Sequence, residues 1–189
     1  MPAAVLDKHK IAYFSIPKSA STSMKLVLYF LKHGKEWTGD PDRVHPQFPT
    51  YPISDEDFQA VQDYWKFTIV RDPISRLLSS YGNRVHFHSD IVRDAAPRLQ
   101  DKLIFLLFRN ELSLRPKYDD YFINLKKYQE LSYSIWHHTT SVSTFIGSDL
   151  SRLSRIYRIE DIPNLENELT VRTGMQVALP REQTSGIKV

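Results

Sequence analysis

The sequence predicts an α/β fold with a parallel β-sheet, on three observations. Three short apolar or alternating stretches, residues 11–16, 66–70 and 155–159, each run directly into a segment with helical signals. Strands that alternate with helices in this way are joined by crossovers, which is how parallel sheets are built. The length of 189 residues, with 41% hydrophobic and 25% charged side chains, suits a single domain over residues 1–189 with a sizeable core.

The first stretch, Ile11-Ala12-Tyr13-Phe14-Ser15-Ile16, leads into Pro17, Lys18 and five small residues, Ser19 to Ser23. A helix follows from about Thr22 to His33. Met24, Val27, Leu28 and Leu31 recur at i, i+3, i+4 and i+7, which marks one apolar face. Leu26, Tyr29 and Phe30 fill much of the remainder, so the helix reads as largely buried.

The second stretch, Lys66 to Val70, is followed by "RDPISRLLSSYGNRV". Asp72 is a good N-cap and Pro73 a good first helical residue. Ile74, Leu77, Leu78 and Tyr81 repeat the helical spacing, and Asp72 and Arg76 form an i,i+4 pair in the favourable order. The third stretch, Arg155 to Ile159, alternates like a strand and is followed by a helix with Asp161 as its expected cap. Between the first two units lies "TGDPDRVHPQFPTYPISDED", with four prolines and no periodicity. It reads as a loop over one end of the sheet, a position that often carries function. Residues 97–110 and 117–131 are expected to be helical.

Composition narrows the function classes. Net charge is +3 and the sequence pI is about 9.0, a mild excess that suits an anionic ligand. Lys and Arg are spread along the chain without a dense basic stripe, which argues against nucleic acid as a partner. There is no cysteine, hence no disulfide and no thiolate metal site, and the expected compartment is cytoplasmic. The start "MPAAVLDKHKIAYF" is a poor signal peptide, and no apolar run approaches the roughly 20 residues that span a bilayer. His137 and His138 are adjacent and do not share a helical face, so no zinc site is expected; the pair reads as structural or surface residues, with contact of one to the acceptor or donor as the alternative. Trp136 reads as a buried core residue, with stacking on a nucleobase as the functional alternative.

"IPKSASTSMK" has the layout of a phosphate-binding loop: strand, tight turn, helix N-terminus and a nearby Lys. The helix start presents unpaired N–H groups, and its dipole favours an anion. Ser19, Ser21, Thr22 and Ser23 add hydroxyls and Lys18 adds a charge. The Walker A pattern is absent and the loop holds no glycine; small Ala and Ser allow close ligand approach if the turn stays in the ordinary φ range. Read alone, the loop is equally a Ser/Thr-rich helix cap beside a surface Lys. "FTIVRDPISRLLSSY" places Arg71 at a second strand end, with Ser79 two helical turns on; read alone, it is more readily an Arg-Asp pair capping a helix. Strand ends of this kind line the ligand crevice of parallel α/β sheets. Two anion sites at adjacent strand ends suit a ligand with two separate phosphates.

Together these stretches resemble the two nucleotide motifs of the sulfotransferase family. "IPKSASTS" is similar to the family's 5′-phosphosulfate loop. "RDPISRLLSSY" is similar to its 3′-phosphate motif, and "IYRIEDI" to a later strand-then-Glu-Asp segment. Within the family, Ala-Ser-Thr-Ser after the Lys resembles the carbohydrate branch, as in heparan and uronyl 2-O-sulfotransferases and their short bacterial relatives. The resemblance implies a P-loop-like three-layer fold, with helices on both sides of a central parallel sheet. It implies 3′-phosphoadenosine 5′-phosphosulfate (PAPS) as donor, PAP as product, a carbohydrate or other hydroxyl acceptor, and no metal. Carried over by position, Lys18 stabilises the leaving 5′-phosphate and Ser19, Ala20, Ser21, Thr22 and Ser23 bind it. Arg71 and Ser79 take the 3′-phosphate, and Lys188 in "PREQTSGIKV" closes over it. Against the family pattern the sequence ends early, which bears on that closing segment.

In-line attack of an acceptor hydroxyl on sulfur is helped by a general base and by fixed positive charge on the departing oxygen. The 2-O branch uses a His between the two motifs, and His45 of "RVHPQF" occupies that segment. Glu36, Asp40, Asp42, Asp55, Glu56 and Asp57 are the competing carboxylates. Histidine's ordinary pKa of about 6.5 suits a base near neutral pH. Two alternatives stand beside the enzyme reading: a degenerate P-loop kinase dependent on ATP and Mg²⁺, and a PAP-binding module without catalysis.

Overall fold

The computed structural model describes residues 3–95 and 112–180. The expected helix over residues 97–110 and the expected closing residue Lys188 lie outside them. The chain divides into two compact units, one formed by residues up to Arg71 and from Ser141 on, the other by Asp72–Thr140.

The first unit holds the sheet. β1 (Ala3–Leu6), β2 (Ile11–Phe14), β3 (Trp65–Val70) and β4 (Arg155–Arg158) lie in the order β1-β2-β3-β4. β2, β3 and β4 are parallel, as the alternation with helices predicts, and Phe14 stands opposite Thr68 at the end of β2. β1 is an antiparallel edge strand that the sequence reading did not anticipate. Its four residues are too short for a period, and its turn uses Lys10 at φ 52° where glycine would have been the signal.

Side chains alternate across the sheet and both faces are covered. Ile11 and Tyr13 of β2 and Phe67 and Ile69 of β3 pack against α1 (Ser21–His33). Met24, Val27, Leu28 and Leu31, the four residues of its predicted face, are all buried there. α9 (Ile162–Thr173) adds Leu165 and Leu169 to the same layer. On the other face Ala12, Phe14 and Ile16 meet Phe58 of α2 (Asp55–Ala60) and Phe145 and Ile146 of α8 (Ser143–Ile146). This is the expected helix–sheet–helix layering. Asp161 does precede α9, yet its carboxylate accepts the Arg158 backbone N–H at 3.3 Å and caps no helical N–H.

The proline-rich segment is more ordered than a loop. Pro41–Gln47 forms a 3₁₀ helix, started by Asp40, whose carboxylate accepts from the Asp42 N–H at 3.0 Å. Val44 and Phe48 anchor it in the α1 layer. Two apolar residues among four prolines carry no period, which is why the sequence pattern concealed this anchor.

The second unit is helical. α3 (Pro73–Ser80) begins as predicted, with the Asp72 carboxylate accepting the Ser75 N–H at 2.8 Å and Pro73 in the first turn. Its buried face, however, is polar. Arg76, Ser79 and Ser80 are inside, whereas Ile74 of the predicted apolar stripe is 68% exposed. Arg76 does not turn to Asp72. Its guanidinium donates to the carbonyls of His138, Thr139 and Thr140 at the end of α7 (Tyr133–Thr139). Those carbonyls are the orphan acceptors of a helix C-terminus and carry its partial negative charge. A π-helical turn (Tyr81–Phe87) follows α3, then α4 (Asp90–Ala95). The helix expected over residues 117–131 is split at Asn124 into α5 (Tyr118–Ile123) and α6 (Leu125–Leu131). The core of this unit gathers Tyr81, Ile91, Tyr121, Tyr128, Leu131 and Ile135. Trp136 is half-buried and stacks on Tyr133 at 5.4 Å, so it is not the core residue expected. Among the described residues no helix is long and apolar enough to cross a membrane.

Replacing Arg76 by Met leaves three helix-end carbonyls without their donor. The expected loss is about 2–4 kcal/mol of unfolding free energy, read from urea transitions. A loss under ~0.5 kcal/mol would show that the guanidinium is dispensable there.

Candidate active site

The site is built where β2 ends. Ser15 and Ile16 stay buried, and the chain then reverses through Pro17, Lys18, Ser19 and Ala20 into α1. The Ser19 N–H closes the turn on the Ile16 carbonyl at 3.3 Å. Lys18 (φ 66°) and Ala20 (φ 56°) adopt the left-handed conformation. The condition of an ordinary φ range is therefore not met. The turn has the geometry that glycine usually serves, at a steric cost of roughly 1–2 kcal/mol for each residue.

Ala20 is the N-cap of α1 and supplies no side-chain acceptor. The N–H groups of Ser21, Thr22 and Ser23, in the first turn, therefore point out of the helix unsatisfied by its own ladder. Ser19 is fully buried and its Oγ has no hydrogen-bond partner among the described residues. An uncapped helix start beside an orphaned buried hydroxyl and the Lys18 cation suits an oxyanion such as phosphate. β3 runs parallel beside β2, so Arg71, the residue after Val70, emerges at the same edge of the sheet as the loop. Ser79 sits in the second unit as a buried residue of α3.

The segment at Pro41–Gln47 brings His45 onto the start of α1. Its Nε2 lies 3.1 Å from Thr22 Oγ1, and its Nδ1 lies 3.1 Å from Lys25 Nζ. The ring is about one-third exposed, at 37% for the side chain, so it is reachable from solvent. Of the competing carboxylates, Asp42 stands 4.0 Å from His45 Nε2. Asp40 caps the 3₁₀ helix, Asp57 completes a capping box with Ser54, and Asp55 pairs with Arg152. Those three already have structural roles.

Lys25 is the residue that sequence reasoning missed. It lies in the quoted loop motif, on a helix whose apolar period gives it no role. In the structure it is 1% exposed, and its Nζ bonds to Thr50 Oγ1 at 2.8 Å as well as to His45. Burial pulls its pKa down to about 7. The signal that could have found it is position: a Lys one turn after Ser21 and one turn before the buried Leu28. Among the described residues no three His, Cys, Asp or Glu side chains lie close enough together to hold a metal ion.

Two measurements check this geometry. Ala20→Gly relieves a left-handed alanine, and the expected gain is about 1 kcal/mol in the urea midpoint analysis; a decrease would contradict the turn. Lys25 binds its proton more weakly when folded than when unfolded. Between about pH 7 and the ordinary lysine range near 10.5 the unfolded chain therefore holds more protons, and stability rises with pH. The slope is at most ~1.4 kcal/mol per pH unit and disappears in Lys25→Met. Equal slopes in the two proteins would show that Lys25 is charged in the folded state.

Comparison with known proteins gives the family. The model described as "Sulfotransferase family" matches residues 1–182 and so runs through both units. Carbohydrate sulfotransferase 10 of Danio rerio is 35% identical over 89 residues, which are 42% of this chain and 24% of that protein. The match thus spans about a quarter of that relative's length. No solved structure matches significantly. With a family match over nearly its whole length, on a mixed α/β sheet with the loop at a strand end, the chain belongs to the sulfotransferase family.

Proposed function

We propose that the protein is a PAPS-dependent O-sulfotransferase, one domain in function, acting on a carbohydrate-like hydroxyl. The observation that carries this is His45 on Thr22, at 3.1 Å. It puts a candidate base beside a helix N-terminus that no side chain caps and that suits an oxyanion. The kinase alternative receives no comparable support, since the matching family is that of sulfotransferases. The carbohydrate acceptor rests on the similarity to carbohydrate sulfotransferase 10 and on the Ala-Ser-Thr-Ser loop. The cytoplasmic location expected from the cysteine-free sequence belongs to this reading.

In this reading the acceptor oxygen forms a bond to sulfur while the bond from sulfur to the 5′-phosphate oxygen breaks. His45 Nε2 takes the acceptor's proton, and the electron pair leaves on the phosphate of PAP. Lys18 and the first-turn N–H groups of α1 stabilise that charge as it develops, where fixed donors are most effective. Ser19 to Ser23 line the 5′-phosphate, with Ala20 allowing close approach. Arg71 and Ser79 serve the 3′-phosphate, with Lys188 assigned to it from the sequence pattern.

The direct test is incubation with PAPS and a panel of glycans, with PAP release as readout and PAP affinity from calorimetry. Lys18→Ala is expected to lower kcat/KM by about 10²–10³. His45→Ala is expected to lower kcat by about 10²–10⁴ with PAP affinity retained. PAP binding without turnover on any acceptor would favour the non-catalytic module, and no PAP binding at all would remove the donor assignment.

A further inference from the structure

We propose that Lys25 is a positioning residue: as an uncharged amine it accepts the Nδ1–H of His45 and so makes Nε2, turned to Thr22, the acceptor nitrogen. This deepens the sulfotransferase reading and rests on it for the role of His45 as base; the hydrogen-bond arrangement itself does not.

Two proton arrangements fit the distances. In one, Lys25 is an ammonium. It has three donors and no lone pair, so it donates to both Thr50 Oγ1 and His45 Nδ1. The imidazole proton is then forced onto Nε2, which donates to Thr22 Oγ1, and His45 presents no acceptor toward the loop. In the other, Lys25 is an amine. It donates to Thr50, accepts from Nδ1–H, and leaves Nε2 to accept the Thr22 hydroxyl proton. Only the second arrangement lets Nε2 take a proton from an acceptor.

The surroundings select the second arrangement. Nζ is sealed under α1, with His45 and Thr50 as its hydrogen-bond partners and no carboxylate at ion-pair distance among the described residues. A buried ammonium with neutral partners is the disfavoured form, in line with its pKa of about 7. The nearby charged group, Asp42 on the 3₁₀ helix, faces Nε2 at 4.0 Å and not Nζ. It therefore does not offset the burial of an ammonium at Lys25. The arrangement has the logic of any His whose second nitrogen fixes its tautomer, with an amine in place of the usual carboxylate or carbonyl.

The test is a long-range ¹H–¹⁵N correlation spectrum of the full chain at about pH 8, where an imidazole of ordinary pKa is neutral. The His45 ring is assigned by its loss in His45→Gln. The expected wild-type pattern is a protonated Nδ1 and an unprotonated Nε2. In Lys25→Met that pattern reverses or averages, and in Lys25→Gln, whose amide oxygen can accept Nδ1–H, it returns. Turnover with PAPS is expected to fall at least about tenfold in kcat for Lys25→Met, with KM for PAPS within about twofold and partial rescue by Lys25→Gln. A wild-type Nε2–H tautomer overturns the proposal, without need of any variant. So does a Lys25→Met protein that keeps the wild-type tautomer. If the tautomer is as expected but His45→Ala keeps full turnover, the base assignment fails while the Lys25–His45 arrangement stands.

Discussion

The parallel ladder between β2 and β3 is the constraint on which the site depends. Ile11 to Phe14 lie opposite Trp65 to Thr68, and the Thr68 hydroxyl donates to the Phe14 carbonyl at 2.7 Å on the last residue of β2. Because the strands run the same way, the loop after one and Arg71 after the other leave the sheet at a common edge. An antiparallel pair would send them to opposite ends. The register matters as much as the direction. A slip of one residue would turn Tyr13 away from α1 and put Ala12 in its place, exchanging the two faces of the core. The packing that fixes the register therefore also fixes where the loop and Arg71 leave the sheet.

The loop tolerates left-handed Lys18 and Ala20 because the helix behind it is held so firmly. Met24 and Leu28 are fully buried one and two turns into α1, and the sheet residues beneath them are equally closed off. Burying such side chains contributes roughly 1.5–3 kcal/mol each, more than the steric cost of a left-handed alanine. The strain thus sits in a short turn between two rigid elements, which over-determine its shape. A turn so held keeps its N–H groups oriented in advance of any ligand, which is what binding an oxyanion at a helix start requires.

The strands that bind the site to the sheet were legible, because each combines a buried apolar run with a helix signal a few residues later. So was α1, where Met24, Val27, Leu28 and Leu31 give a period that survives its polar start. What escaped notice had a common cause: local pattern says little where tertiary contacts decide. Val44 and Phe48 hold the proline-rich segment through contacts to residues far away in sequence. Arg76 reads as a partner for Asp72 at i,i+4, but a buried helix end with three open carbonyls outcompetes a solvent-exposed carboxylate. The loop motif and His45 are assigned through family resemblance; that His45 would meet Thr22 and Lys25 depended on a fold of the intervening chain that no period announced.

Lys25 shows how stability and chemistry can be separated at one position. Its stem is buried at the start of α1, where Met would fill the same space without desolvating an amine. Packing alone therefore favours an apolar residue there. A hydrogen bond to Thr50 does not restore the balance, since net gains from such bonds are about 1 kcal/mol. What a Met cannot supply is a lone pair at 3.1 Å from His45 Nδ1. The buried amine is thus destabilising as a core residue and specific as a hydrogen-bond acceptor, and the one group it can instruct is the imidazole that faces the phosphate loop.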